Sequence, residues 1–542
     1  MIIDMYSSKR SITWEETARA RRHLEKETGA IIKDWGGRLP FAFIYPNTYY
    51  IGMSNLGLQA VYAFLNRYDN ILCERIFWDK ETRQSRSTTL SIESQRPPAD
   101  FAVLAFSLNY ELDYFNIAPI LKASGIPVYA EERDGSHPLI IAGGPCVTAN
   151  PMPVAPFFDC LCIGEAEALL PVMLPVIREN ITAKREDLLS SLAEVPGILV
   201  PRLERSTPVK RQWAKNLDDF PVHSIVLTRD TEFSDMYLIE VQRGCAHGCR
   251  FCLVAGAFSP MRFRSAEKLI QQAKEGLQYR RRIGLVGPAV TDHPDIEEIL
   301  ENLLQMGASV SVSSLRLSSL NPRIIEMMVK GGLRSIALAP EAGSECLRTL
   351  IKKGIHEEQI LQAIAIAAEK GMQQIKLYFM LGLPGETDSD VQAMADLVKR
   401  GLVTASSRHR RPRLAINISP FVPKAGTPFQ WFPMESTGTL KNRIELLKEL
   451  LAGSGIEIKH ESPQWSEIQT VLSRGDARLA HVLAETEHIS LSGFRHSCAK
   501  YGIDIEYFAH HLWQTSQKLP WSIIDSGTDL RRLIGEFELS HK

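Results

Sequence analysis

The sequence predicts an α/β protein in three parts: an N-terminal doubly wound, Rossmann-like sheet, a central partial (β/α)6 barrel, and a mostly helical C-terminal domain. Three observations carry the prediction. Short apolar runs alternate with helically spaced apolar stretches twice, from Leu39 and again from Met236. Such alternation implies parallel strands joined by crossover helices. The second series passes through six units, short of the eight of a closed TIM barrel. After Thr427 helical spacing dominates to Lys542.

Residues 1–36 read as a polar, helical lead-in. Residues 37–185 form the first sheet, with LPFAFIYP, ILCERIFW, FAVLAFSL, PLIIAGG and DCLCIGEA as strands. NLGLQAVYAFLNRY, FNIAPILKASG and AEALLPVMLPVIREN carry helical spacing. Residues 186–230 are expected to be a Pro-containing linker with a short hairpin. Residues 231–430 hold the barrel strands MYLIEVQRG, RIGLVGPA, SVSVSSL, SIALAPEA, QQIKLYFMLGLP and RLAINISPFVP, separated by helices. Ligands of such an array bind at the C-terminal ends of its strands. Residues 431–542 are mostly helical, with IEIKHES as one further candidate strand.

The 542 residues are 44% hydrophobic and 23% charged, as in ordinary globular proteins. With 62 Lys+Arg against 63 Asp+Glu the formal net charge is -1. That excludes a bulk polycation, so nucleic-acid binding would need a local patch. RHRRPRL (408–414) is such a basic run, more simply read as a solvated loop than as an RNA or phosphate contact. No apolar run reaches the roughly 18 residues of a membrane span. The N-terminus has charge but no apolar signal-peptide core. A cytoplasmic location follows as the expectation. Arg474-Gly475-Asp476 and His481 are placed to reach a substrate, although helix capping by Asp476 is the plainer account.

The nine cysteines are an odd number in a chain without an export signal, which argues against a disulfide framework. Three fall within eight residues, Cys245-Ala-His-Gly-Cys249-Arg-Phe-Cys252. A four-iron cluster normally takes four thiolates. Three leave one iron without a protein ligand, an open position like that of a catalytic zinc. Gly244 and Gly248 would let the loop fold tightly, and Phe251 would shield the metal from water. The alternative is zinc on the three cysteines with His247. Structural zinc usually takes two separated ligand pairs, however, and four ligands in eight residues is cramped.

The spacing C-x3-C-x2-C, just after the first strand of a βα array, resembles the radical S-adenosylmethionine (AdoMet) superfamily. The resemblance implies a [4Fe-4S] cluster on Cys245, Cys249 and Cys252, whose open iron chelates the amino and carboxylate groups of AdoMet. Reduction then yields a 5′-deoxyadenosyl radical, with the electron coming from a donor such as flavodoxin or ferredoxin. It also implies AdoMet contacts at Phe251, at the Gly287-Pro288 turn (which lacks an acidic neighbour), at Arg316 and Glu341, and at Leu383 in LGLPGET. For Arg316 and Glu341 the plain alternative is an ion pair, and for the LGLPGET turn it is turn chemistry. No side chain is singled out as catalytic.

The N-terminal series resembles the cobalamin-binding domain that precedes the barrel in cobalamin-dependent radical AdoMet enzymes. The match rests on GMSNLG (Gly52–Gly57), Ser107-Leu108, Gly143-Gly144-Pro145 and IGEAEALLP. It implies corrinoid contacts at Ser54, Asn55, Leu56, Gly57, Ser107, Leu108, Gly143, Gly144 and Glu165. In the frame D-x-H-x-x-G, Ser54 stands where the cobalt-ligating histidine would be. The alternative is a scaffold that has lost its corrinoid. With cobalamin, the implied activity is radical methyltransferase chemistry, a methyl group passing from methylcobalamin to an unreactive carbon. Two other readings stay open. One is radical rearrangement or oxidation without methyl transfer. The other is a non-catalytic RNA- or protein-binding factor with a structural metal. The sequence does not identify a substrate.

Overall fold

A computed structural model describes residues 12–79, 89–313, 315–406, 412–486 and 489–541. Arg408, His409, Arg410 and Arg411 of the basic run lie outside them.

The first sheet has six strands: β1 (Leu39–Tyr45), β2 (Ile71–Phe77), β3 (Val103–Ser107), β4 (Leu139–Gly143), β5 (Cys160–Cys162) and β6 (Ile198–Leu199). Their order is β2-β1-β3-β4-β5-β6, parallel except for β6. β2 is buried along its whole length, as expected of a parallel strand covered on both faces. The chain reverses direction across the sheet between β1 and β3, and a crevice opens at the strand ends there. Helix Leu56–Asn66 follows β1 and packs beside helix Ala166–Asn180, which follows β5. Asn55 starts the first of these by accepting the Leu58 N–H on Oδ1 at 3.0 Å.

The linker carries no hairpin. Its two short strands pair elsewhere: β6 runs antiparallel to β5, and Val209–Lys210 pairs in parallel with Ile524–Asp525. Two-residue strands cannot support one another alone, whereas existing elements offer ready partners.

The six expected central strands are present: β7 (Met236–Glu240), β8 (Arg282–Val286), β9 (Ser309–Val312), β10 (Ser335–Glu341), β11 (Gln374–Leu381) and β12 (Arg413–Pro420). They form two parallel sheets, β9-β8-β7 and β10-β11-β12, rather than one continuous wall. Among the described residues no ladder joins β9 to β10. β9 is only four residues long and offers little backbone to extend. A seventh strand, β13 (Glu457–His460), continues the second sheet beside β12 and falls on IEIKHES, the candidate strand of the otherwise helical C-terminal part. The outer faces pack on helices including Ala266–Gly276, Ile296–Gln305 and Asp388–Ser406.

The remaining helices share a core with the first sheet, as where Phe115 meets Phe494 edge-on at 5.7 Å. Asn150 donates from Nδ2 to the carbonyls of Ser473 (3.0 Å) and Gly475 (2.9 Å). Arg474, expected to reach a substrate, is instead fully buried, its guanidinium 3.8 Å from the Trp513 ring centroid. Burial pushes its pKa down to about 9. Asp476 receives the Arg478 N–H at 3.0 Å, and His481 stacks on Tyr501, so both serve local packing.

Candidate functional site: a three-thiol loop beside an interdomain cavity

The cysteine loop begins where β7 ends. Gln242–Arg243 pairs antiparallel with Arg262–Phe263, so the intervening residues form a closed excursion. Gly244 turns the chain out of this pair at φ 79°. A Cβ there would lie 2.4 Å from the Phe258 carbonyl oxygen, so no other residue fits without a shift. Cys249 O accepts the Cys252 N–H at 3.1 Å, and Cys252 then caps the helix Leu253–Ala257.

Cys245, Cys249 and Cys252 line one cavity of about 470 Å³. The helix Leu530–His541 closes it with Arg532, Leu533 and Glu536. Arg250 ties this helix to the loop, donating to Glu536 at 2.9 Å and to the Leu350 carbonyl at 2.6 Å. Lys352 also pairs with Glu536.

Burial pushes the Cys249 thiol up; Lys353 and Arg316 pull it down, and Glu341 and Cys245 oppose them. Burial pushes Cys252 to about 11, against the backbone N–H groups of Val254 and Ala255. Deprotonated thiols in such a place need a bound metal to offset the lost hydration. Among the described residues no three His, Cys, Asp or Glu side chains gather as the ligands of a single ion. His247 is engaged elsewhere, its Nε2 bonded to the Asp292 carboxylate. With His247 engaged by Asp292, the fourth ligand that a zinc site on this loop would draw on is committed to another partner.

Arg316 and Glu341 both act electrostatically on the Cys249 thiol, in opposite directions. Glu341 sits at a register shift of β10 with φ 69°, a conformation that non-glycine residues rarely adopt. Its ion-pair partner is Lys353 at 2.9 Å. Lys353 carried no sequence signal, because only the turn after helix Glu345–Leu350 brings it back to β10. Phe251 is half-buried against the core shared with the C-terminal helices. Leu383 is 2% exposed in that core. Its turn is held by Glu386, whose Oε2 accepts the Gly382 N–H at 2.6 Å and pairs with Arg443 at 3.0 Å.

A second cavity of about 830 Å³ lies between the first sheet and β7–β9. Ser54, Asn55, Leu56, Gly57, Ser107, Gly143, Gly144 and Glu165 all line it. Its deep part is a slot between the sheet and helices Leu56–Asn66 and Ala166–Asn180, walled by Phe41, Phe43, Leu65 and Met173. Its other wall holds Gln242 and the Gly287-Pro288 turn. Gly144, at φ 115°, brings the chain so close to the Leu108 carbonyl that a Cβ would lie 2.5 Å from that oxygen. The Leu108 side chain itself is wholly buried in the core, away from the cavity. The Ser54 hydroxyl donates to the Tyr50 carbonyl at 2.6 Å and accepts the Glu232 N–H at 2.9 Å. Glu165 is held by Arg262 (2.6 and 3.0 Å) and Arg243 (3.0 Å), and Arg243 also pairs with Glu167 and Glu240. This nearly dry ionic cluster fastens the first sheet to the strand pair that frames the cysteine loop.

The first sheet and the thiol loop match family models. Residues 57–201 match the N-terminal region of radical SAM proteins, and residues 239–398 match the radical SAM superfamily. An uncharacterized protein of Methanocaldococcus jannaschii is 32% identical over 446 residues, 82% of this chain and 90% of that one. An uncharacterized methyltransferase of Pyrococcus horikoshii is 26% identical over 48% of this chain and 58% of that one. Among solved structures, the radical AdoMet methyltransferase TsrM from Kitasatospora setae aligns at a TM-score of 0.46 with 13% identity, over 70% of this chain and 72% of that one. The fold and the loop thus define an iron–sulfur enzyme class that uses AdoMet. The chain belongs to the radical SAM superfamily.

Proposed function

We propose that the protein is a cobalamin-dependent radical AdoMet enzyme that methylates an unreactive carbon. The observation that carries this reading is the arrival of four separate sequence segments, at Ser54–Gly57, Ser107, Gly143-Gly144 and Glu165, on one cavity that continues to the strand ends beside the cysteine loop. The slot is deep and apolar, as the flat aromatic tail of a corrinoid requires. The name of the Pyrococcus relative also favours methyl transfer.

When bound, the cluster supplies the electron that splits AdoMet, and the corrinoid supplies a methyl group. The residues of the chain do the rest. Cys245, Cys249 and Cys252 hold the cluster, and Arg316, Glu341, Lys353 and the Gly287 turn orient AdoMet against it. Helix Leu530–His541 excludes water from the thiols. An electron donor such as flavodoxin or ferredoxin completes the system.

The test is anaerobic purification with iron, sulfide and corrinoid analysis, followed by an assay for 5′-deoxyadenosine. Iron and sulfide in a four-to-four ratio, AdoMet cleavage and tight uptake of hydroxocobalamin are expected. Alanine at any one of the three cysteines should abolish colour and cleavage. Cleavage without corrinoid uptake would favour radical chemistry without methyl transfer. Zinc in place of iron would indicate a non-catalytic binding factor.

A further inference from the structure

The second central sheet turns one face to the helices: Ile375, Leu377 and Phe379 of β11 and Ile416 and Ile418 of β12 lie in that core. Alternate residues therefore turn to the inner face. Lys376 and Tyr378 of β11 and Asn417 of β12 stand there. In register, Lys376 lies between Ala337 of β10 and Ala415 of β12, and Tyr378 lies beside Asn417. A barrel that is only scaffold fills its inside with bulky branched side chains. Here Ala337, Ala339 and Ala415 leave room instead, and the inward Tyr378 is 39% exposed. Among the described residues, Lys376, Tyr378 and Asn417 have no hydrogen-bond or ion-pair partner.

Charge narrows what this row would hold. The six central strands carry two acidic side chains, Glu240 and Glu341. Both are committed, Glu240 to Arg243 and Arg264, and Glu341 to Lys353. Arg282 and Arg413, exposed at the first residues of β8 and β12, extend the positive field along the same inner faces. Lys376 is thus an unbalanced cation midway along the wall. The interdomain cavity does not account for it, because that cavity ends at Ser313 and takes no residue of the second sheet. Beside Lys376 the row offers one further donor, the Asn417 amide, which suits a carboxylate better than a phosphate dianion. We propose that this row binds the substrate and that the substrate is a carboxylate: its anionic group pairs with Lys376 and Asn417, and its adjoining body lies on the Tyr378 ring.

The proposal deepens the reading above and rests on it, and the experiment keeps the two apart. Cluster-loaded protein is titrated anaerobically, with and without hydroxocobalamin, with three probes: benzoate, its neutral isostere benzamide, and phenyl phosphate. Wild type should bind benzoate about tenfold more tightly than benzamide, the size of one hydrogen bond to a charged group. Lys376→Met should keep its iron and sulfide and bind the two alike, whereas Lys376→Arg should keep the preference. Tyr378→Leu should weaken benzoate and benzamide by the same factor, roughly threefold. If Lys376→Met does not fold, Lys376→Gln takes its place with the same expectation. Equal affinity of wild type for benzoate and benzamide, a preference that survives removal of the Lys376 charge, or tighter binding of phenyl phosphate than of benzoate overturns the proposal. Wild-type protein that shows the benzoate preference but neither cleaves AdoMet nor takes up hydroxocobalamin would remove the reading above and keep the anion site.

Discussion

Single side chains decide much of this molecule's electrostatics. Glu386 shows how far burial can shift a carboxylate: desolvation pushes it up to about 7, against the Gly382 N–H and Arg443. A raised folded pKa means that the folded state holds the proton longer than the unfolded chain. The stabilisation is full below the unfolded value near 4.5 and is lost as pH rises through about 7. Glu386→Gln cannot ionise, so its stability relative to wild type should improve between pH 5 and pH 8. The expected change is up to about 3 kcal/mol, read from denaturant unfolding at the two pH values. The three clustered cysteines were legible in the sequence because their spacing is local. Lys353 and Glu386 were not, because each acquires its meaning from a neighbour that only the fold supplies.

At the scale of elements, the ionic cluster of Glu165, Glu167 and Glu240 with Arg243, Arg262 and Arg264 joins a sheet to a strand pair. Removing one partner strands charges in a nearly dry place. Glu165→Gln should cost about 3 kcal/mol, seen as a lowered melting temperature. Double replacement of Glu165 and Arg262 by apolar residues should recover part of that loss, which a double-mutant cycle would measure. Strands and crossover helices were readable from alternating apolar runs. The division of the central strands into two sheets was not, because pairing between β9 and β10 depends on backbone positions and not on side-chain pattern. The seventh strand was legible as IEIKHES, but its pairing beside β12 was not, since the run is too short and too charged to announce an edge position.

Across the whole molecule, the C-terminal helices pack against both the first sheet and the thiol loop. Among the described residues no helix is long and apolar enough to cross a membrane. Phe537 is central to the packing, within 5.3 Å of Trp431 and 4.8 Å of Phe432 by ring centroids. Phe537→Ala should cost about 3–4 kcal/mol. It should also speed the bleaching of the reconstituted cluster in air, followed by absorbance, because the helix that carries Glu536 and Arg532 loses its anchor. The order of three parts along the chain was legible. This long-range closure was not, since the loop at 245–252 and the helix at 530–541 share no pattern.

That closure bears on biogenesis. A ribosome must have released Leu530–His541 before the thiol pocket has its roof, so a nascent chain presents Cys245, Cys249 and Cys252 to solvent through the synthesis of nearly three hundred further residues. A cluster loaded before that roof forms would stand open to oxygen, and a chain cut short before it would keep its thiols uncovered.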